Sequence, residues 1–171
     1  VAQQGFRYDS LGRMTQELNS QGAALTGYQH DGNGQITQIT DLSGVTGAVT
    51  RYTRDALGRV ATAIEADGTS LARSSHFTYT GQGLVESVQD PNGAVTAYGY
   101  NGFGERVSEA SPDRGDWSFG FDPVGNTIML QDAEQQTQYQ YDALNRRTRA
   151  KYADGSEAIY AYTAGFQDRL A

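Results

Sequence analysis

Aromatic residues along this chain come in pairs two positions apart, each pair followed by a polar turn signal and then an aliphatic residue. The frame opens at Phe6-Arg-Tyr8-Asp9-Ser-Leu-Gly12-Arg13-Met14. It returns at Tyr28-Gln-His30-Asp31-Gly-Asn-Gly34-Gln35-Ile36 and at Tyr52-Thr-Arg54-Asp55-Ala-Leu-Gly58-Arg59-Val60. Further copies begin at Phe77-Thr-Tyr79-Thr80, Tyr98-Gly-Tyr100-Asn101, Phe119-Gly-Phe121-Asp122 and Tyr139-Gln-Tyr141-Asp142, and an eighth starts at Tyr160-Ala-Tyr162-Thr163. All the aromatics except Phe103, Trp117, Tyr152 and Phe166 fall in the two columns of this frame.

Two rings at i and i+2 share one face of a strand, and Tyr and Phe suit a pleated, half-buried surface. Asp-x-x-Gly then supplies a turn: the carboxylate accepts a backbone amide two residues on, and glycine reaches positive φ. The turn column reads Gly12, Gly34, Gly58, Gly83, Gly104, Gly125 and Asn145. Asparagine is the residue that best tolerates the left-handed region after glycine, so the column is one of backbone geometry. A second strand follows, carrying Met14, Ile36, Val60 and Val85 two places past the glycine, then Leu18, Ile39, Ile64 and Val88 three or four places later. That mixed offset breaks strict alternation and predicts bulges.

A second turn closes most units, at Gln21-Gly22, Ser43-Gly44, Asp67-Gly68, Asn92-Gly93, Arg114-Gly115 and Asp154-Gly155. The units are 6–27, 28–51, 52–76, 77–97, 98–118, 119–138, 139–159 and a partial 160–171, a single array of strand–turn–strand–turn repeats. The polar stretch Asp132 to Gln140 lacks apolar i, i+3, i+4 spacing, and no helix is predicted anywhere. The expected fold is all-β. One hairpin alone is marginal in water, whereas stacked copies share a continuous aromatic and aliphatic face.

Composition agrees. The 171 residues include 21 Gly against 3 Pro, a balance that favours many tight turns. A net charge of −7 with scattered basic residues gives no cationic stripe for nucleic acid. No apolar run approaches the ~18 residues of a membrane span. Cysteine is absent, which removes disulfides and thiolate metal sites. The chain opens Val-Ala-Gln-Gln-Gly, without Met or a signal pattern, and is expected to be part of something longer.

The frame [FY]-x-Y-D-x-x-G-R-[aliphatic]-T resembles the YD repeat of the Rhs family, over residues 6 to 163. That family includes bacterial Rhs proteins, the C components of Tc toxin complexes and the teneurins. The resemblance implies repeats stacked into a continuous, curved antiparallel sheet that spirals into a shell. In the toxin branches the shell encloses a C-terminal toxic domain; in teneurins it belongs to an adhesion ectodomain. His30 for Tyr, Thr80 and Thr163 for Asp, and Asn145 for Gly depart from the frame. Bacterial members also carry a self-cleaving DPxG-type segment. Asp122-Pro123-Val124-Gly125 matches it superficially but stands in register with the ordinary turns, and Ala164 to Ala171 show neither that segment nor a toxin domain.

Candidate chemistry is sparse. A nucleophile needs a nearby base, and the two histidines, His30 and His76, occupy or adjoin aromatic columns, where a strand role suffices. Asp31-Gly-Asn33-Gly34-Gln35-Ile36 glances at a calcium loop, but Ile36 and Leu42 stand where an EF-hand needs Gly and Glu. Most carboxylates sit in turns that want a short acceptor. No phosphate loop exists, and Gly99-Tyr-Asn-Gly102 is turn glycine. No catalytic residue, cofactor or metal is expected.

The repeat aromatics Tyr8, Tyr28, Tyr52, Tyr79, Tyr100, Phe121, Tyr141 and Tyr162 are read as the stacked core. Trp117, outside the frame, is the candidate ligand contact, because exposed rings stack on sugars. The expected function is a shell-wall segment, with the rest of the shell and an enclosed cargo domain as partners, in a secreted or surface-delivered protein. The alternative is a carbohydrate- or protein-binding adhesion module. Neither reading calls for nucleic acid or a membrane span.

Overall fold

The computed structural model describes residues 4–44 and 47–162. The partial eighth unit beyond Tyr162, with Thr163, Phe166 and the terminal Ala164 to Ala171, lies outside the described residues, as do Val1 to Gln3. The described residues form fifteen strands and no helix. The first hairpins are β1 (Gly5–Tyr8) with β2 (Met14–Leu18), β3 (Ala24–His30) with β4 (Ile36–Asp41), and β5 (Val49–Arg54) with β6 (Val60–Glu65). Next come β7 (Arg73–Tyr79), β8 (Val85–Gln89), β9 (Val95–Tyr100) and β10 (Arg106–Ser111). The last are β11 (Gly115–Phe121), β12 (Thr127–Gln131), β13 (Gln136–Tyr141), β14 (Arg147–Lys151) and β15 (Glu157–Ile159). The polar stretch from Asp132 is thus a turn followed by a strand.

The strands form one unclosed sheet in sequence order, β1 through β15, paired antiparallel. Two compact units divide the chain: residues 1–78 with 88–93, and 79–87 with 94–171. Among the described residues, the strand contacts within each unit join neighbours in sequence, with no second layer across either face.

Each hairpin whose register is resolved carries a bulge at the same place, which accounts for the mixed aliphatic spacing. Tyr8 pairs Met14 while Arg7 pairs Gln16, so Thr15 is the extra residue. Thr37, Ala61, Val107, Ile128 and Thr148 are skipped in the same way. An extra residue shifts the side-chain period locally from two to three. Ile36 and Ile39 therefore share the aromatic face, opposite His30 and Tyr28. Leu18 and Ile64, one place further on, pair Gly5 and Arg51 and belong to the other face.

The first turns repeat one arrangement. In the first, Asp9 Oδ1 accepts the amides of Leu11 and Arg13, both at 2.9 Å, and Gly12 N donates to Asp9 O at 3.1 Å. Asp31, Asp55, Asn101, Asp122 and Asp142 do the same, and Thr80 substitutes its hydroxyl. Gly12 to Gly125 of the turn column have φ between 76° and 88°, and Asn145 has 60°. The second turns vary more. Gly22, Gly68, Gly93, Gly115 and Gly155 have positive φ, but Gly44 does not; in that longer loop Gly47 takes it, at 53°.

Successive turns lock onto one another through the residue after the glycine. Arg13 Nη1 donates to Asp31 O at 2.8 Å, Gln35 Nε2 to Gly58 O at 3.2 Å, and Asn126 Nδ2 to Asn145 Oδ1 at 3.0 Å. Leu84 reaches over Gly104 in the same manner. Glycine in this column thus leaves room for the neighbouring turn besides permitting the left-handed backbone.

The second aromatic column has a related task. The ladder from β12 to β13 ends at Met129 and Gln138, which leaves Thr127 O without a strand partner on that side. Tyr141 Oη donates to it at 2.8 Å, and Tyr100 and Tyr162 donate to Val85 O and Arg147 O at the same distance. In the third unit Arg54 stands in this column, and its Nη2 donates to Ile36 O at 2.8 Å in the tyrosine's place. Tyr141→Phe should cost about 1–2 kcal/mol in urea unfolding, because a carbonyl loses its donor. Arg54→Tyr should stay within about 1 kcal/mol of the parent chain, since it restores the hydroxyl and removes a buried Nε that has no partner. A neutral Tyr141→Phe would show that water replaces the hydroxyl.

Candidate functional site on the aromatic face

The register pairs Phe6 with Glu17, Tyr28 with Ile39, Tyr52 with Ala63, Tyr98 with Glu109, Phe119 with Leu130 and Tyr139 with Ala150. Tyr28 and Tyr52 are thus members of the first aromatic column, while His30 and Arg54 fill the second in their units. The rings are not an enclosed core. Ala150 is the one fully buried hydrophobic residue among those described, and Phe6 and Tyr8 are exposed. The physical reason is the single layer: with nothing stacked on the face, a ring is shielded only by its flanking strands.

Two positions in the partner column of this face carry a carboxylate, Glu17 and Glu109, and the second is buried. The partner column that holds Ile39, Ala63, Leu130 and Ala150 carries a carboxylate at Glu109, only 3% exposed. Arg106 Nη1 lies 3.0 Å from Glu109 Oε2, and Arg114 bonds Oε1. The Arg106 guanidinium also sits 5.1 Å from the Phe119 ring centroid and 5.6 Å from that of Tyr98. A buried charge is tolerable only when paired and hydrogen-bonded, and here two cations hold one anion. Sequence reasoning missed Glu109; aligning the bulged strands would have set it among aliphatic residues. Glu17 holds the equivalent place in the first unit and accepts the Tyr28 hydroxyl at 3.0 Å. Burial first, then the Glu17 contact, raises the Tyr28 pKa.

Trp117 pairs with Glu109 across the hairpin and borders the shallow depression formed with Arg106, Arg114, Phe119 and Leu130. It is half-buried, and its Nε1 donates to Arg114 O at 3.3 Å. The indole is thus anchored at one edge with part of its surface free, and guanidinium groups stand beside it.

The other candidates fall in ordinary places. His76 pairs with Thr62, whose hydroxyl lies 3.2 Å from Nδ1, and His30 opposes Ile36. Asp31 Oδ1 accepts the amides of Asn33 and Gln35, so its role is that of a turn residue. Asp122-Pro123-Val124-Gly125 makes the same turn as its neighbours. Among the described residues no three His, Asp or Glu side chains converge as metal ligands. Several turn carboxyls are held below the usual range by their donors: the Arg13 amide for Asp9, and the side chains of Arg59, Asn126 and Arg146 for Asp55, Asp122 and Asp142.

Comparison with known proteins agrees with this geometry. The RHS Repeat family model matches residues 8–46, 30–70, 73–116 and 121–157. Among solved structures, the Photorhabdus luminescens Tc holotoxin pore is 20% identical over 73% of this chain, with a TM-score of 0.63. A TcdB2–TccC3 complex lacking its hypervariable C-terminal region is 20% identical over 73%, at a TM-score of 0.64. A TcdB2–TccC3–TEV structure covers 94% at 14% identity and a TM-score of 0.67. The matched part is only 7%, 7% and 11% of those chains. With the repeat model matching most of its length and the same hairpin fold in its structural neighbours, the chain belongs to the RHS repeat family.

Proposed function

We propose that the chain is a non-catalytic wall segment of a larger bacterial Rhs shell, secreted or surface-delivered, that helps to enclose a C-terminal toxin domain. The observation that carries this is the single layer: within each unit, strands touch only sequence neighbours, and both faces stay largely half-exposed. Such a sheet is a wall rather than a globule. Its partners are the rest of the shell on its edges and cargo against one face. The neighbours are toxin complexes, one of them solved without its hypervariable C-terminal region, which supports a shell with exchangeable contents. A lack of enzymatic activity fits the histidines' strand roles and carboxylates committed to turns.

The test is limited proteolysis of the intact parent chain. The C-terminal domain should survive protease that degrades the same domain expressed alone; equal degradation would overturn enclosure. A second reading, adhesion, is favoured by the partly free indole of Trp117 beside Arg114. On a glycan array the wall reading expects nothing tighter than about millimolar. Micromolar binding that Trp117→Ala abolishes, with the β-sheet spectrum unchanged, would establish adhesion instead.

A further inference from the structure

Three departures from the repeat frame coincide on β10 and β11. Arg106 stands two places past the turn glycine, where Met14, Ile36, Val60 and Val85 are aliphatic. Glu109 stands in the partner column, and Trp117, the chain's single tryptophan, pairs with it from the next strand. The fold does not need these residues together. Arg147 lies 4.3 Å from the Tyr139 ring centroid with Ala150 in the partner place. Glu17 accepts the Tyr28 hydroxyl with Met14 in the arginine's place.

One buried carboxylate asks for one cation, and Glu109 has two. The Arg106 and Arg114 side chains stay 46% and 67% exposed, each giving Glu109 one guanidinium nitrogen. Neither guanidinium makes another hydrogen bond among the described residues. Asp113 and Asp116 flank Arg114 in sequence, yet neither enters an ion pair among the described residues. The cluster therefore holds one positive charge in excess, on a chain of net charge −7. With Trp117, Phe119 and Leu130 the two arginines line an open depression.

A single excess charge matches a monoanion, whereas a dianion would leave negative charge uncompensated beside the buried Glu109. Guanidinium groups fit a carboxylate through paired N–H donors. The indole, the phenyl ring and Leu130 offer an apolar wall next to those donors. We propose that this depression binds a carboxylate flanked by an apolar side chain, presented by an acidic segment of the polypeptide that the wall encloses. Glu109 is the positioning residue that holds the two guanidinium groups side by side. The assignment rests on the shell-wall reading for the source of that segment, and it turns the aromatic face toward the cargo.

Trp117 is its own reporter, because no other indole contributes to the emission. Titration with acetyl-Asp-Phe-amide should shift that emission and saturate at about millimolar peptide. Acetyl-Asn-Phe-amide, with the same shape and no charge, should bind about tenfold more weakly. Arg114→Gln should abolish the preference for the acid over the amide. Arg149→Gln, which removes the partner of Glu157 instead, should leave the preference as it was. Both variants should keep the parent's β-sheet spectrum. Equal binding of acid and amide by the parent chain would overturn the site, whatever the variants do. Glucuronate binding as tightly as acetyl-Asp-Phe-amide would overturn the peptide assignment in favour of an acidic sugar. Protease protection of the C-terminal domain is read separately, so this site can fail while the wall stands.

Discussion

Gly58→Val should destabilise the chain by about 2–4 kcal/mol in urea unfolding, the largest effect expected of any single turn substitution. Two costs coincide. The backbone has φ 80°, which a β-branched residue avoids. A Cβ built there would stand 2.9 Å from Gln35 Nε2, the group that donates to the Gly58 carbonyl. Valine therefore strains its own turn and pushes off the neighbouring one. Asn145→Gly, at the equivalent position of the seventh unit, should stay within about 1 kcal/mol of zero. It relieves a non-glycine residue at φ 60° but gives up the acceptor of the Asn126 amide and adds unfolded-state freedom. A harmless Gly58→Val, or an Asn145→Gly equally costly, would mean the column is not held by these two constraints.

Acidification should produce the second large effect, through many small contributions of one sign. Asp9, Asp41, Asp55, Asp122, Asp142 and Asp154 all have carboxyls held below their ordinary value of 3.8. The leading causes are the Arg13 amide for Asp9, the Ser43 and Ser156 hydroxyls for Asp41 and Asp154, and the side chains of Arg59, Asn126 and Arg146 for the others. A group whose folded pKa is lowered contributes stability that is present above the unfolded value and lost as pH falls through the folded one. The urea midpoint should therefore hold above about pH 5 and drop steadily below about pH 4. Asp142→Asn, which keeps the amide acceptor as Asn101 does natively, should flatten part of that drop. A midpoint that rises on acidification would contradict the turn carboxylates' role.

The hairpin frame was legible because its strongest marks are backbone marks. Glycine or asparagine at a required positive φ, with an acceptor side chain three residues before, can be read without knowing what surrounds the turn. The bulges were half-legible: the uneven offsets of Ile39 and Leu18 signalled an extra residue, but only the register shows that Thr15 and Thr37 supply it. What could not be read were substitutions that conserve geometry with different chemistry. Arg54 looks like a lost tyrosine in sequence, yet its guanidinium reaches the same carbonyl that the hydroxyl serves elsewhere. Glu109 looks like one more surface acid until the pairing sets it among aliphatic residues beside two arginines. The Tyr columns were expected as core, and the absence of a second layer within each unit leaves them on an open face instead.

The restriction of each strand to its neighbours in sequence also bears on how such a chain acquires its shape. All-β proteins usually fold slowly because their pairings join distant segments and must first meet the entropy of closing long loops. Here every ladder closes over a single short connection, so the contact order is low for a sheet. Each hairpin can form on the one before it as the polypeptide emerges, by nearest-neighbour propagation. A long wall can thus be laid down from one end, at any length, without waiting for its last residue.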